Sequence, residues 1–255
     1  MKKLCFTILS VLLLLVVAGC GDNGPKKMVI GLDDNFAPMG FRNEKNEIVG
    51  FDIDLAREAC KRAGMEVSFK PSAKEAELNG KRIDAIWNCF TINEERQKVI
   101  QFSKPYINNS QIVVVPANSA IQTLADLKGK VVGVQDDSTG SYLLDGKFSD
   151  LRKGLKDYKK YPDFAAAFLD IDSGRLDGLV VDEILARYYM KKATGKYRAL
   201  KEDLGKEVVG VGFRKDDKEF TARIDKALDE MKKDGTCKKF SEKWFDADIT
   251  RYEGK

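Results

Sequence analysis

Short apolar runs separated by amphipathic stretches set the rhythm of this chain. Met28 to Leu32 is a buried-strand pattern that breaks at Asp33-Asp34-Asn35 into a loop carrying Phe36 and Pro38. After "IVGFD" the period changes: Ile53, Ala56, Cys60 and Ala63 share one helical face, with Asp52 as candidate N-cap and Gly64 as the stop. "MEVSF", "AKEAELNG" and "RIDAIW" continue as strand, short helix and strand. Strands alternating with helices predict an α/β sheet with helical crossovers.

The same grammar then restarts. "SQIVVVP" reads as a strand, "TLADLKG" as a helix, "KVVGVQ" as a strand, "DDSTGSYLL" as a loop opening a helix, and "LKDYKKY" as a strand. A helix follows with Phe164, Ala167, Phe168 and Ile171 on one face, and "RLDGLVV" is the next strand. "GKRIDAIW" (Gly80 to Trp87) is echoed by "SGRLDGLVV" (Ser173 to Val181), and each strand runs into polar residues. Two lobes of similar build, meeting across a cleft, are expected.

The last third supplies a strand, "EVVGVGFRK", and an amphipathic helix with Phe220, Ile224, Ala227, Leu228 and Met231 on one face. "CKKFSEKWF" is a final helical segment. The chain is expected to cross between lobes near Ile112 to Val115 and to return near Val208 to Gly212. Residues 28–112 with 211–255 then form a discontinuous first lobe and 113–210 the second, joined by a two-strand hinge.

The N-terminal residues 1–19 have a different character. Lys2 and Lys3 precede an apolar run from Leu4 to Val17, broken only by Thr7 and Ser10, and small residues follow. That is the layout of a secretory signal, too short in its apolar run for a comfortable membrane span. The ending "VAGC" resembles a bacterial lipobox, which implies cleavage before Cys20 and a diacylglycerol on its sulfur. Residues 20–27 read as a flexible tether, so the chain is expected to be exported. The anchor would hold it at the outer face of the cytoplasmic membrane or in the periplasm.

Charge narrows little. The formal balance of +4 falls to +2 without Lys2 and Lys3, and no basic block interleaved with aromatics suggests a nucleic-acid surface. The chain has no histidine, which excludes Ser-His and Cys-His nucleophiles and His-ligated metal. Cys60, Cys89 and Cys237 show no CxxC spacing for zinc. Cys60 and Cys237 read as small buried hydrophobes, with one disulfide left open.

The chemistry gathers where strands end. In "AIWNCFTINEERQKV" an apolar strand breaks into Asn88, Cys89, Phe90 and Thr91. Thr91-Ile92-Asn93-Glu94 fits a capping box, which predicts a helix from Ile92 with Thr91 as N-cap and Arg96 in its first turns. Asn88, Thr91 and Arg96 together describe a small-anion site. "VGVQDDSTGSY" sets Gln135, Ser138 and Thr139 at a second strand end. Ser138 and Thr139 read either as a second donor cradle or as an ordinary helix cap, and the segment fails the phosphate-loop pattern. Asp182 suits a ligand ammonium or a helix N-cap. Asp33 offers a carboxylate or a turn residue, and Phe36 an aromatic face for a side chain or core packing.

Across these segments, and in "GFDIDLAREACKRAG" and "KKDGTCKKFSEKWF", the chain resembles the polar amino-acid family of solute-binding proteins for ATP-driven importers. The resemblance runs over nearly all of residues 28–255. It implies a type II periplasmic-binding-protein-like fold, two mixed α/β lobes that close over a free amino acid. It also implies delivery to a cognate permease and its ATPase, with no catalysis, cofactor or metal, by a monomeric binding protein. By position it puts the carboxylate-binding arginine on Arg96, its hydroxyl partner on Thr91, and second-lobe donors on Ser138 and Thr139. The ammonium-binding acid falls on Asp182, the side-chain acid on Asp33 and the stacking aromatic on Phe36, with Asn88 and Phe51 lining the pocket. Cys89 departs from a usual small residue, and is expected either to narrow the cleft or to expose a thiol. Asp137 departs from a usual glycine. Arginine or lysine is the favoured ligand, with glutamine and other polar amino acids open. The rival from another class is an exported dehydratase of cyclic carboxylic acids on the same fold. It is opposed by the apparent lack of a second cleft acid of raised pKa.

Overall fold

The computed structural model describes residues 26–250. The expected signal and the Cys20 anchor lie outside them. The first lobe begins with β1 (Lys26–Leu32), β2 (Asn35–Phe36), β3 (Gly40–Arg42), β4 (Ile48–Val49) and α1 (Phe51–Arg62). It continues with β5 (Met65–Pro71), α2 (Glu75–Asn79), β6 (Ala85–Ile86), β7 (Thr91–Ile92), α3 (Glu94–Val99) and β8 (Ile100–Phe102). The second sheet is built from β9 (Ile107–Pro116), a 3-10 turn (Leu124–Leu127), β10 (Val131–Gln135), α4 (Thr139–Asp145) and α5 (Ser149–Gly154). After these come β11 (Asp157–Tyr161), α6 (Phe164–Asp172), β12 (Gly178–Asp182), α7 (Glu183–Lys192) and β13 (Tyr197–Val209). The chain then returns through β14 (Gly212–Arg214), α8 (Lys218–Lys233) and α9 (Thr236–Phe245).

One sheet has the order β5-β1-β6-β14-β8 and the other β11-β10-β12-β9-β13-β7, with a small β2-β3-β4 sheet beside the first. In each large sheet a central strand pairs in parallel with two neighbours, and an antiparallel strand follows on one side. The parallel portions are apolar on both faces because helices cover them. Ile30, Ala85 and Phe213 are fully buried in the first sheet, as are Val113, Leu179 and Val181 in the second. Helix α8 lays Ile224, Ala227, Leu228 and Met231 onto the first lobe, as its spacing predicts. Fully burying side chains of this size contributes roughly 1.5–3 kcal/mol each before entropy is counted.

The crossings differ from expectation. β9 already pairs with β13 from Ile107, opposite Val209, so the crossing expected near Ile112 lies inside a strand of the second sheet. The chain touches the second sheet briefly through β7, passes into it over residues 103–106 and returns over 210–211. Lys26 and Lys27, expected in the tether, belong to β1 and pair with Met65 and Glu66. "TLADLKG" forms only a 3-10 turn, closed by a reciprocal Thr123 and Asp126 capping box. Cys60, Cys89 and Cys237 are free and buried.

Candidate functional site

The echo seen in the sequence is a structural repeat. Asp84 and Asp177 each fasten the strand that follows them to the central strand of their sheet. Val29 N donates to Asp84 Oδ2 at 2.9 Å and Val131 N to Asp177 Oδ2 at 2.8 Å. The bases one residue before the branched side chain match too, with Arg82 Nε donating to Glu77 and Arg175 Nε to Asp170. The central strands β1 and β10 therefore lead to equivalent points, Asp33 just past β1 and Gln135 at the end of β10. These two meet across the cleft, Gln135 Nε2 donating to Asp33 Oδ2 at 2.7 Å. Burial raises the Asp33 carboxyl above its usual range, against the Asn35 N–H and Gln135 bonds that lower it. Phe36 packs edge-on against Phe164 of the other lobe, with ring centroids 5.6 Å apart.

Thr91 does not cap a helix. Thr91 and Ile92 leave the first lobe as β7 and pair with Val209 and Val208 of β13. The cap of α3 is Asn93, whose Oδ1 accepts from Arg96 N at 2.8 Å. The capping-box signature was misleading because strand pairing claims the Thr91 backbone and its hydroxyl donates to Glu207 Oε2 at 2.9 Å. Helix α3 is a six-residue turn of helix, so the positive charge of this pole comes from Arg96 itself. Its guanidinium lies over the Phe90 ring, 4.2 Å from the centroid, which gives Phe90 its role as a platform. Arg96 Nη1 donates to Thr91 O at 3.1 Å and reaches Thr139 Oγ1 across the cleft at 3.4 Å, while Nε donates to Glu75 at 3.3 Å. Thr139 Oγ1 in turn donates to Thr91 Oγ1 at 3.0 Å. Of the second cradle, Thr139 reaches the other lobe. Ser138 is the ordinary cap of α4, accepting from Ser141 N and donating to Gln135 O.

Asp182 occupies the N-cap position of α7 but makes no capping bond. Its carboxyl turns inward and Oδ1 accepts from Asn109 Nδ2 at 2.6 Å and Gln111 Nε2 at 2.9 Å. Burial, then the neighbouring Glu207 carboxyl, push Asp182 up to about 8. Glu207, Asn109 and Gln111 escaped the sequence reading because they sit in the long β9–β13 ladder, where they look like solvent-facing strand residues. The repeat gave no signal for them. Glu207, itself raised by burial, also overturns the expectation that the cleft holds no second acid of this kind.

Three further residues differ from expectation. Phe51 is fully buried against Tyr106 and Phe245, a core residue at the start of α1 that does not face the cleft. Asp52 does not cap α1. It is a buried carboxyl accepting from Cys89 N at 2.6 Å and Tyr106 Oη at 2.8 Å, and desolvation pushes it up to about 7. Cys89 is 5 % exposed with φ +48°, so its thiol is not exposed to solvent. Burial pushes it well above its usual range. Asp137, the other departure, also has positive φ, +54°. Both stand where the backbone favours glycine. Asn88 accepts from Asp33 N at 2.9 Å and so holds the two strand ends of the first lobe together.

With the lobes in contact, a cavity of about 1030 Å³ remains beside Thr91, Thr139, Asn109 and Glu207, floored by β9 and β13. It is large enough for an amino acid. Arg96, Asp33 and Asp182 do not line it; Arg96 and Asp33 are engaged by Thr139 and Gln135 across the cleft, and Asp182 by Asn109 and Gln111 within its own sheet.

The chain matches the model of the bacterial extracellular solute-binding proteins, family 3, over residues 28–247. It is 36% identical over 236 residues to the lysine/arginine/ornithine-binding periplasmic protein of Escherichia coli, covering 88% of this chain and 90% of that protein. It is 34% identical over 232 residues to the L-cystine-binding protein of the same species, covering 88% and 84%. A histidine-bound substrate-binding protein of a Streptococcus pneumoniae ABC uptake transporter superposes with a TM-score of 0.85 at 33% identity, covering 89% of this chain and 95% of that one. Family-wide matching over almost every described residue, and a two-lobed fold shared with solved relatives, make this chain a member of the family 3 bacterial extracellular solute-binding proteins.

Proposed function

We propose that this chain is the binding component of an ABC amino-acid importer and captures a free cationic amino acid, arginine or lysine, between its lobes. The observation that carries the cationic reading is the charge of the cleft. Asp33, Asp182 and Glu207 supply three carboxyls that form no ion pair among the described residues, while the Arg96 guanidinium is already paired with Glu75. A zwitterion with a neutral side chain leaves Asp33 without a cation, whereas arginine or lysine supplies one to each pole. Arg96 with Thr91 and Thr139 holds the α-carboxylate, Asp182 the α-ammonium, and Asp33 with Phe36 the side-chain cation. Asn88, Phe90, Gln135 and Ser138 hold these groups in position. Relatives named for lysine, arginine and ornithine support this reading; those named for cystine and histidine mark the alternatives. Calorimetry against a panel of amino acids, after co-purified ligand is removed by partial unfolding, tests it. Tighter binding of glutamine or cystine than of arginine and lysine would sink it.

Cys20 carries the lipid anchor in this proposal, and the monomeric lobes deliver ligand to a membrane permease driven by its ATPase. Release of a Cys20→Ser variant from the membrane fraction checks the anchor. The Asp182 and Glu207 carboxyls favour a second reading, general-acid dehydration of a cyclic carboxylic acid. Turnover of such an acid by the purified chain would establish it.

A further inference from the structure

Asp182 and Glu207 converge from β12 and β13, the two strands that flank β9. Asn109 Nδ2 donates both to Asp182 Oδ1 at 2.6 Å and to Glu207 Oε1 at 2.5 Å. Gln111 Nε2 donates to the same two oxygens, at 2.9 Å each. Oxygens held by the same two nitrogens are close neighbours. Two buried carboxylates do not approach like this with both ionised; one proton between them turns repulsion into a hydrogen bond.

The surroundings supply no other neutralising charge. Thr91 donates a hydroxyl from β7, and β9 contributes only the uncharged Asn109 and Gln111. From the first lobe, Cys89 faces the pair with its thiol held protonated by burial and by Asp182, Asp52 and Glu207. Arg96 feels Glu207 at a distance but bonds Glu75 and Thr139. Among the described residues no lysine or arginine forms an ion pair with either carboxyl. Burial keeps the shared proton bound well above the ordinary carboxylate range.

We propose that Glu207 is the second carboxyl of the ammonium pole, and that the α-ammonium of the bound amino acid displaces the proton shared by Asp182 and Glu207. Capture then releases one proton per ligand. No covalent bond changes. The O–H···O bond between the carboxyls is replaced by N–H···O bonds from the ammonium, and the proton leaves to solvent through the cavity that borders Glu207. Burial already favours the protonated form of Asp182, and the Glu207 carboxyl beside it holds that proton more tightly, so Glu207 strengthens the dependence of affinity on pH. The inference rests on the amino-acid reading.

Calorimetry of the ligand-stripped chain with arginine and lysine, in two buffers of different ionisation enthalpy, tests it. The expected result is release of about one proton per ligand near neutral pH, with Kd falling about tenfold per pH unit on the acid side of the pair's titration. In Glu207→Gln arginine and lysine bind more weakly, and proton release and the pH dependence of Kd diminish together. Equal heats in both buffers for the wild-type chain, or undiminished release in Glu207→Gln, overturn the proposal while leaving amino-acid binding intact. Binding of no amino acid overturns both readings. Should the variant fail to fold, infrared spectroscopy of the wild-type chain carries the test. A protonated-carboxyl band lost on adding arginine supports the exchange, and a band unchanged by saturating arginine overturns it.

Discussion

The two lobes share a scaffold down to single side chains and part company where their strands end. In both, an arginine is tied to an acid five residues earlier, a branched residue is buried, and an aspartate takes a central-strand N–H. In both, a central-strand glycine faces that branched residue: a Cβ on Gly31 would strike Ile83, and one on Gly133 would strike Leu176. Beyond this point the first lobe stops β6 at Ile86, turns through Cys89 and brings Arg96 to the cleft. The second carries β12 on to Asp182, beside the Glu207 carboxyl. One supporting frame thus presents a cationic pole on one side and an acidic pole on the other. The fastening is structural, and the two or three residues after it decide the chemistry.

The comparison breaks most sharply at its poles. Arg96→Ala and Asp182→Asn should each weaken arginine binding by about 2–5 kcal/mol, roughly 30-fold to several thousand-fold, measured by calorimetry. Equal insensitivity of both would remove the two-pole reading.

Next comes the contrast between buried acids. Asp52, buried in the first lobe against Cys89 N and Tyr106, has a folded-state pKa of about 7 against an ordinary 3.8. The folded chain therefore holds this proton more tightly than the unfolded one. Its contribution to stability is full below about pH 4 and is lost as pH rises toward 7, by at most roughly 1.4 kcal/mol per pH unit. Asp52→Asn should flatten that part of the denaturation-midpoint profile, whereas Glu207→Gln should flatten the pH dependence of binding.

The matched glycines sharpen the frame itself. Gly31→Ala meets the Ser72 backbone carbonyl as well as Ile83, so it should cost roughly 1–3 kcal/mol. Gly133→Ala meets only the side chains of Leu176 and Tyr161, which can move, and should cost less. Chemical denaturation of both variants checks the order. The smallest effect belongs to the two departures at positive φ. Asp137→Gly, at an exposed position, should stabilise by about 1 kcal/mol. Cys89→Gly gives up buried contacts for the same backbone relief and should gain less.

Much of the frame was legible from local pattern. The helical faces through Phe164, Ala167, Phe168 and Ile171, and through Ile224, Ala227, Leu228 and Met231, are buried as their spacing predicts. The echo around Asp84 and Asp177 was visible because identical fastening needs identical residue types. The errors share one cause. Thr91 and Asp52 carried sound local signals that long-range partners overrode, β13 for Thr91 and Cys89 N and Tyr106 for Asp52, and Phe51, set in the pocket by resemblance, is likewise held by distant partners in the aromatic core.

By itself the sequence determined the α/β class, the doubling into two lobes, and the strand ends that carry Asp33, Arg96, Thr139 and Asp182. Periodicity and turn chemistry act over a few residues and write themselves into the chain. Only the tertiary structure decided that Asp33 meets Gln135, that Arg96 rests on Phe90, and that Glu207 joins Asp182. Those contacts come from sheet register across tens of residues and from burial, which raises an ordinary strand glutamate above the usual carboxylate range.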